Sequence, residues 1–518
     1  MSENRDLNAA WNYHDGTKHS YESIRRNRHF LDWDNQPLPF KIYSSLEPIP
    51  LPRQLSSSGR KALETIAAPS SGAMAELPDL QGLAELLYLA AGITKRRPYP
   101  GGEMLFRAAA CTGALYHIDL YLVCGDLPDL PAGVYHFGPH DFSLRKLRAG
   151  DYRAVLIGAT AGEPTLSRAP ATIVCASTFW RNAWKYQSRT YRHCFWDNGT
   201  ILANLLAAAV SREVAARVVV GFVDAAVSQL VGLDTTREAP LTLIPLGHTS
   251  EAAPTTAPEA TPLELETTPL SRSEVDYPAI RAMHQASSLE SQDEVMAWRA
   301  GGASVGNPAP STRPFGRVFS LQPVADDSIP ASSLEEVISR RGSTRRFARV
   351  PITFAELSTL LERATRGVPA DFAGDGGGVL GELYLIVNAV DGLPSGAYFF
   401  DRERSALELL KDGDFRHDAG HLGLGQEIPA DASVDVFFLA DLKPVLKRFG
   451  NRAYRAAQLE AAIMGGKFYL GAYAQGLGAS GLTFFDDDVT DFFSPHAAGK
   501  SVMFLVALGK SERRAAKA

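Results

Sequence analysis

The chain repeats itself at a distance of 263 residues. The stretch "DLYLVCGDLPDLPAGVYHF" (119–137) aligns without a gap to "ELYLIVNAVDGLPSGAYFF" (382–400), with eight of nineteen positions identical. Ordinary residue usage would give about one match by chance. The register persists, because Tyr191-Arg192 in "RTYRH" matches Tyr454-Arg455 in "RAYRA". With one residue of slippage, "GFVDAAV" (221–227) matches "TFFDDDV" (483–489) and "PLG" (245–247) matches "ALG" (507–509). Upstream, "LAELLYLAAG" (83–92) is similar to "LSTLLERATRG" (357–367). A period this long marks a duplicated domain, not a solenoid. Two related halves in one chain predict a fused homodimer with a pseudo-two-fold interface.

The repeat divides the chain into a lead segment (1–54), a first domain (55–248), a Pro/Thr/Ala-rich linker (249–329) and a second domain (330–518). In each copy, strand-like pairs such as "LYLV" and "GVYHF" flank a Pro-containing turn. Long apolar helices follow, "GTILANLLAAAV" (199–210) and "LEAAIMGGKFYLGAYAQ" (459–475), and each copy closes on a strand. That order predicts an α+β fold, two tandem domains that are each a mostly antiparallel sheet flanked by helices.

Composition narrows the function classes. A 45% hydrophobic, 21% charged chain with net charge -6 is that of a soluble globular protein and argues against nucleic-acid or membrane-surface binding. No run approaches the roughly 18 apolar residues of a membrane span. The polar N-terminus lacks a signal-peptide core, and Cys111, Cys124, Cys175 and Cys194 form no CxxC pair. They read as reduced thiols of a cytoplasmic protein.

Two segments satisfy GxGxxG, "GGGVLG" (376–381) and "GLGASG" (476–481), but the first runs into a strand and the second ends a helix. Neither supplies the strand-then-helix context of a dinucleotide site. The second reads as a helix-terminating turn whose bare backbone admits a flat cofactor. His417 and His421 are spaced i, i+4 without a third ligand, so no metal is expected. "SRRGSTRRF" (339–347) crowds Arg340, Arg341, Arg345 and Arg346 around Ser343 and Thr344, between two predicted helices. Planar arginine forks with hydroxyl donors suit one terminal phosphate; the competing reading is solvated surface charge.

In order along the chain, these motifs resemble the FMN-dependent nitroreductases, and among them the SagB-type dehydrogenases that oxidise azolines to azoles in peptide natural products. The likeness covers roughly 55–248 and 330–514, and "YHDGTKHS" (13–20) and "LDWDNQPLPFK" (31–41) are similar to the lead of tandem members. The resemblance implies FMN at an interface, gripped by one partner and walled by the other. Carried onto this chain, the grip is Arg340, Arg341, Ser343 and Arg345, the helix-end backbone Gly478, Ala479, Ser480 and Gly481, and the basic tail Lys510 and Arg513. The wall is the small-residue segment Thr112, Gly113, Ala114, Leu115 and Tyr116.

Each copy lacks the other half. The first has "IAAPSSGA" (66–73) at the grip, and the second has "GDGGGVLGEL" (374–383) at the wall. One composite FMN site is therefore expected, with its pseudo-symmetric partner degenerate unless "SIRRNRHF" (23–30) supplies a divergent second grip. Lys185-Tyr186 resembles the pair that handles protons in the SagB-type branch; the second copy has Arg448-Phe449 there. A lysine with a burial-lowered pKa, or the neighbouring tyrosine, suits proton abstraction during flavin dehydrogenation. Arg189, Tyr191, Arg192 and Asp197 read as structural, a helix start with a salt-bridged face. The implied function is oxidation of a heterocycle, or a related C–N or C–S bond, in a peptide or small metabolite. The alternatives are nicotinamide-dependent reduction of nitro or quinone compounds, and a flavin-binding scaffold without turnover. A peptide substrate would require a partner protein for docking, and oligomerisation beyond the pseudo-dimer stays open.

Overall fold

The computed structural model describes residues 3–68, 79–99, 102–302, 316–373 and 379–512. The first sheet holds β1 (Pro48–Pro50), β2 (Ile118–Cys124), β3 (Gly133–Gly138), β4 (Ser143–Ala149), β5 (Ala171–Thr178) and β6 (Glu238–Leu246), in the order β1-β4-β3-β2-β5-β6. The second holds β7 (Val318–Ser320), β8 (Gly381–Val387), β9 (Gly396–Asp401), β10 (Ala406–Asp412), β11 (Val434–Ala440), β12 (Gly478–Gly481) and β13 (Ser501–Gly509), in the order β12-β13-β11-β8-β9-β10-β7. Every pairing in both sheets is antiparallel. Five strands start 263 residues apart in the two copies: 118 and 381, 133 and 396, 143 and 406, 171 and 434, 238 and 501. The fold is α+β in two copies, as the repeat implied.

The strands form where β-branched and aromatic residues run together between turns. β2 and β8 are central and buried along almost their whole length, so they read as continuous apolar runs and not as alternation. Among the helices are α1 (Phe179–Tyr186), α2 (Thr190–Ser211), α3 (Gln292–Gly302), α4 (Leu334–Arg340), α5 (Leu442–Phe449) and α6 (Arg452–Ala474). The stretch read as linker thus carries α3, a helix at Pro278–Ala286 and the edge strand β7. No helix among the described residues is long and apolar enough to cross a membrane, and among them no cluster of His, Cys, Asp and Glu could hold a metal. His421 instead pairs with Asp488 at 2.7 Å.

α2 and α6 pack directly on each other, and glycine makes that possible. A β-carbon on Gly199 would meet the Ala462 β-carbon at 2.5 Å, and one on Gly466 would collide with Ala203. These residues are mutual counterparts in the repeat, so each helix meets its own copy where the two backbones come closest. A reciprocal set of buried charges joins the N-terminal ends of these two helices to the opposite half. Arg189 and Arg192 from the first half bind Asp486 of the second at 3.0 and 2.5 Å. Arg452 and Arg455 from the second half bind Asp224 of the first at 2.6 and 2.7 Å. The salt-bridged helix start foreseen for Arg189 and Arg192 therefore exists, but its partner lies across the interface.

Candidate functional site

The second half builds one wall. Ser333 and Glu336 form a capping box that starts α4. After its last turn the chain runs extended against β12, where Thr344 N donates to Ala479 O at 2.8 Å. Gly478 is required there, because the Thr344 and Ser511 hydroxyls occupy the space of a β-carbon. Ser343 Oγ lies 3.2 Å from the hydroxyl of Tyr469 on α6, which also accepts a bond from Gly481 N. Ser480 Oγ and Thr483 Oγ1 are buried without a partner among the described residues.

The first half builds the facing wall from a loop held in strained conformations. Gly113, Ala114 and Tyr116 have φ of 63°, 56° and 50°, and non-glycine residues there cost about 1–3 kcal/mol each. Asp197 of α2 holds the loop in place. It accepts Thr112 N at 2.8 Å, Thr112 Oγ1 at 2.7 Å and Cys111 Sγ at 3.0 Å. It also bonds His117 Nε2 at 2.9 Å, and that ring is fixed by Ser177 Oγ at 2.8 Å. Asp197 is thus more than part of a charged helix face; it orders the small-residue segment. Burial and the Asp197 carboxylate push the Cys111 thiol well above its ordinary range, so it stays protonated and unreactive.

α1 ends at this loop with Lys185 and Tyr186. A β-carbon on Gly113 would lie 2.9 Å from the Tyr186 hydroxyl. Lys185 Nζ sits 5.3 Å over the Tyr186 ring. Burial and then the Arg345 guanidinium lower the Lys185 pKa. Burial, then Asp197 and Cys111, raise that of Tyr186. His193 stacks edge-on to Tyr186 with ring centroids 4.6 Å apart. Its Nδ1 lies 2.9 Å from Asn182 Oδ1, and its Nε2 is buried without a partner among the described residues. Burial, followed by Arg189, holds it far below the usual histidine range, hence neutral.

The two walls enclose a cavity of about 350 Å³ lined by residues of both halves. Eight residues expected from the sequence share it: Thr112, Gly113, Lys185, Tyr186, Ser343, Arg345, Ser480 and Gly481. Sequence reasoning missed Cys111, His193, Trp196, Gln426, Tyr469 and Thr483, which also line it. Only their place in the long helices and turns hinted at them.

The remaining expected residues stand elsewhere. Arg340 is exposed and donates to Ser332 Oγ at 2.9 Å, just before α4, and to Tyr473 O at 2.6 Å, at the end of α6. Arg341 donates to Ala108 O at 2.9 Å and Arg107 O at 3.0 Å, tying the two halves together behind the pocket. Ala114, Leu115 and Tyr116 sit behind Gly113, where the Tyr116 hydroxyl accepts Arg107 N at 3.1 Å. Gly478 and Ala479 support the grip loop from behind, and Lys510 contributes its carbonyl to Ala348 N at 2.9 Å. Arg513 lies outside the described residues. Arg346 is solvated, 4.0 Å from Glu512. "SIRRNRHF" lies over α1, with His29 Nε2 2.8 Å from Trp184 O, and none of its residues lines the pocket.

The profile of the Nitroreductase family matches residues 103–248 and 338–510, more than half the chain. A crystal structure from Anabaena variabilis, described as a candidate nitroreductase, is 26% identical and superposes with a TM-score of 0.76 over 97% of this chain and 99% of that one. A Methanocaldococcus jannaschii protein named as a candidate nitroreductase is 27% identical over 167 residues, 30% of this chain and 82% of its own length. A Clostridium difficile structure described as an FMN-dependent nitroreductase is 14% identical with a TM-score of 0.24, covering 34% of this chain and 86% of that one.

Proposed function

Since the chain belongs to the nitroreductase family of oxidoreductases, we propose that it is a SagB-type, FMN-dependent dehydrogenase with one composite cofactor site per chain. The observation that carries this reading is the cavity to which the first half contributes Thr112, Gly113, Lys185 and Tyr186 and the second half Ser343, Arg345, Ser480 and Gly481. The residues present fit the cofactor. The cavity lies in the range of ligand pockets, roughly 300–1,000 Å³. Ser480 Oγ and Thr483 Oγ1 are buried polar atoms without a partner among the described residues, and such groups call for one. Ser343 and Arg345 would hold the phosphate, and Ser480 and Thr483 the ring edge. When bound, FMN supplies the acceptor for the hydride that leaves the substrate.

The chain's own residues do the rest. Lys185, kept closer to neutrality by burial and Arg345, takes the proton released as an azoline becomes an azole. Being exposed, it returns that proton to solvent. Tyr186, held protonated, packs against Gly113 and orients the substrate by hydrogen bonding. Neutral His193 Nε2 offers an acceptor in the same wall.

The test is anaerobic mixing of the yellow protein with an azoline-containing peptide or with reduced nicotinamide. The azoline should bleach the flavin, and Lys185→Ala should retain FMN while slowing bleaching about 100-fold or more. Colourless protein, or bleaching by reduced nicotinamide alone that is indifferent to Lys185→Ala, would overturn the proposal and favour the scaffold or the reductase reading respectively.

A further inference from the structure

The repeat supplies a counterpart for each wall of the pocket, and the counterparts meet the chain itself. Four positions show this. Tyr186 corresponds to Phe449, whose ring lies 4.9 Å from that of Trp298 on α3. Lys185 corresponds to Arg448, whose Nε donates to Gly301 O at 2.8 Å. Gln426 corresponds to Glu163, paired with Arg299 at 3.2 Å. Thr483 corresponds to Gly221, whose N donates to Asp371 Oδ2 at 2.6 Å. Asp371 also accepts Val220 N at 3.0 Å and the Trp298 indole N–H at 3.2 Å.

We propose that α3 and Asp371 are a built-in occupant of the second, pseudo-symmetric flavin pocket, with the Trp298 indole in the place of a second isoalloxazine ring. This rests on the reading of the first pocket as a flavin site. Trp298 is 2% exposed: a flat aromatic surface with one N–H edge, sealed from solvent. Gly221 is what admits it, since a β-carbon there would collide with the indole. The first pocket has Thr483 at that position and is closed to the same plug. The second flavin is therefore excluded by volume, and not only by the missing phosphate grip.

The probe is lumiflavin, a flavin ring without the phosphate chain, titrated into FMN-saturated protein and followed by fluorescence quenching. Wild type should show no further binding. Trp298→Ala should add one saturable equivalent while its original FMN stays bound, and Trp298→Phe should stay closed. A second flavin in wild type, or none added in folded Trp298→Ala, overturns the proposal. If Trp298→Ala does not fold, amide exchange in wild type decides: segment 218–223 should exchange equally slowly with and without FMN, and slowing on FMN loading would refute the plug. Should wild type take up no FMN at all, the flavin reading of the first pocket fails separately, while the lumiflavin difference between variant and wild type still reports on Trp298.

Discussion

Replacing Asp486 by alanine probes the contact that brings the two halves of the pocket together. Its carboxylate accepts Arg189 Nη1 at 3.0 Å, Arg192 Nη1 at 2.5 Å and His19 N at 2.8 Å. Both arginine side chains are at most 3% exposed, so the variant leaves two cations in the interior without a counter-charge. Arg192 keeps bonds to His14 O and Thr17 Oγ1 at 2.6 and 3.1 Å. Arg189 keeps a hydrogen bond to Thr17 O, and its Nε and Nη2 lack partners among the described residues. Breaking a buried ion pair costs about 3–5 kcal/mol, a large share of the roughly 5–15 kcal/mol that holds a domain folded. The assay is urea unfolding at pH 7 together with FMN retention. Asp487→Ala is the control, because that carboxylate is 68% exposed and pairs with Lys18 at 2.8 Å; such surface pairs contribute about 0–1 kcal/mol. Burial alone would raise the Asp486 pKa, but Arg189 and Arg192 outweigh it and hold it well below the ordinary 3.8. The contribution is thus complete above that value and is lost as pH falls through the folded pKa. The gap between wild type and Asp486→Ala should narrow below pH 3.8. A gap at pH 7 within about 1 kcal/mol of the Asp487→Ala control would refute the reasoning.

The other predictions are independent of that contact. Arg345→Ala should raise the Lys185 pKa, since the guanidinium helps to lower it, and the alkaline rise of the rate against pH should move to higher pH. Gly113→Ala places a β-carbon 2.9 Å from the Tyr186 hydroxyl at φ 63°; a strain of about 1–2 kcal/mol should appear as weaker FMN retention with little change in secondary structure by circular dichroism. Glu460 is raised by burial from 4.5 to about 7, although Arg402 and two backbone amides oppose the rise. The folded state therefore binds more protons than the unfolded one in that window, so stability should fall as pH rises from 4.5 to 7, and Glu460→Gln should flatten that slope in thermal melts.

The sequence by itself determined the duplication, its 263-residue register, the α+β order and the residue types on both walls, because backbone propensity and repeat spacing are local properties. It located Lys185, Tyr186, Gly113, Ser343 and Arg345 as candidates for one pocket. Tertiary structure alone decided which arginines reach that pocket: Arg341 ends on the carbonyls of Arg107 and Ala108, more than two hundred residues away in the chain. It also decided the role of Asp197, which looks like any helix-face carboxylate until four donors converge on it. Trp298 lies in the stretch read as linker and Asp371 in the second domain, more than seventy residues away, so no spacing rule joins them. Their meeting depends on the volume left by Gly221 and on two amides awaiting acceptors, and such complementarity exists only once the halves are packed.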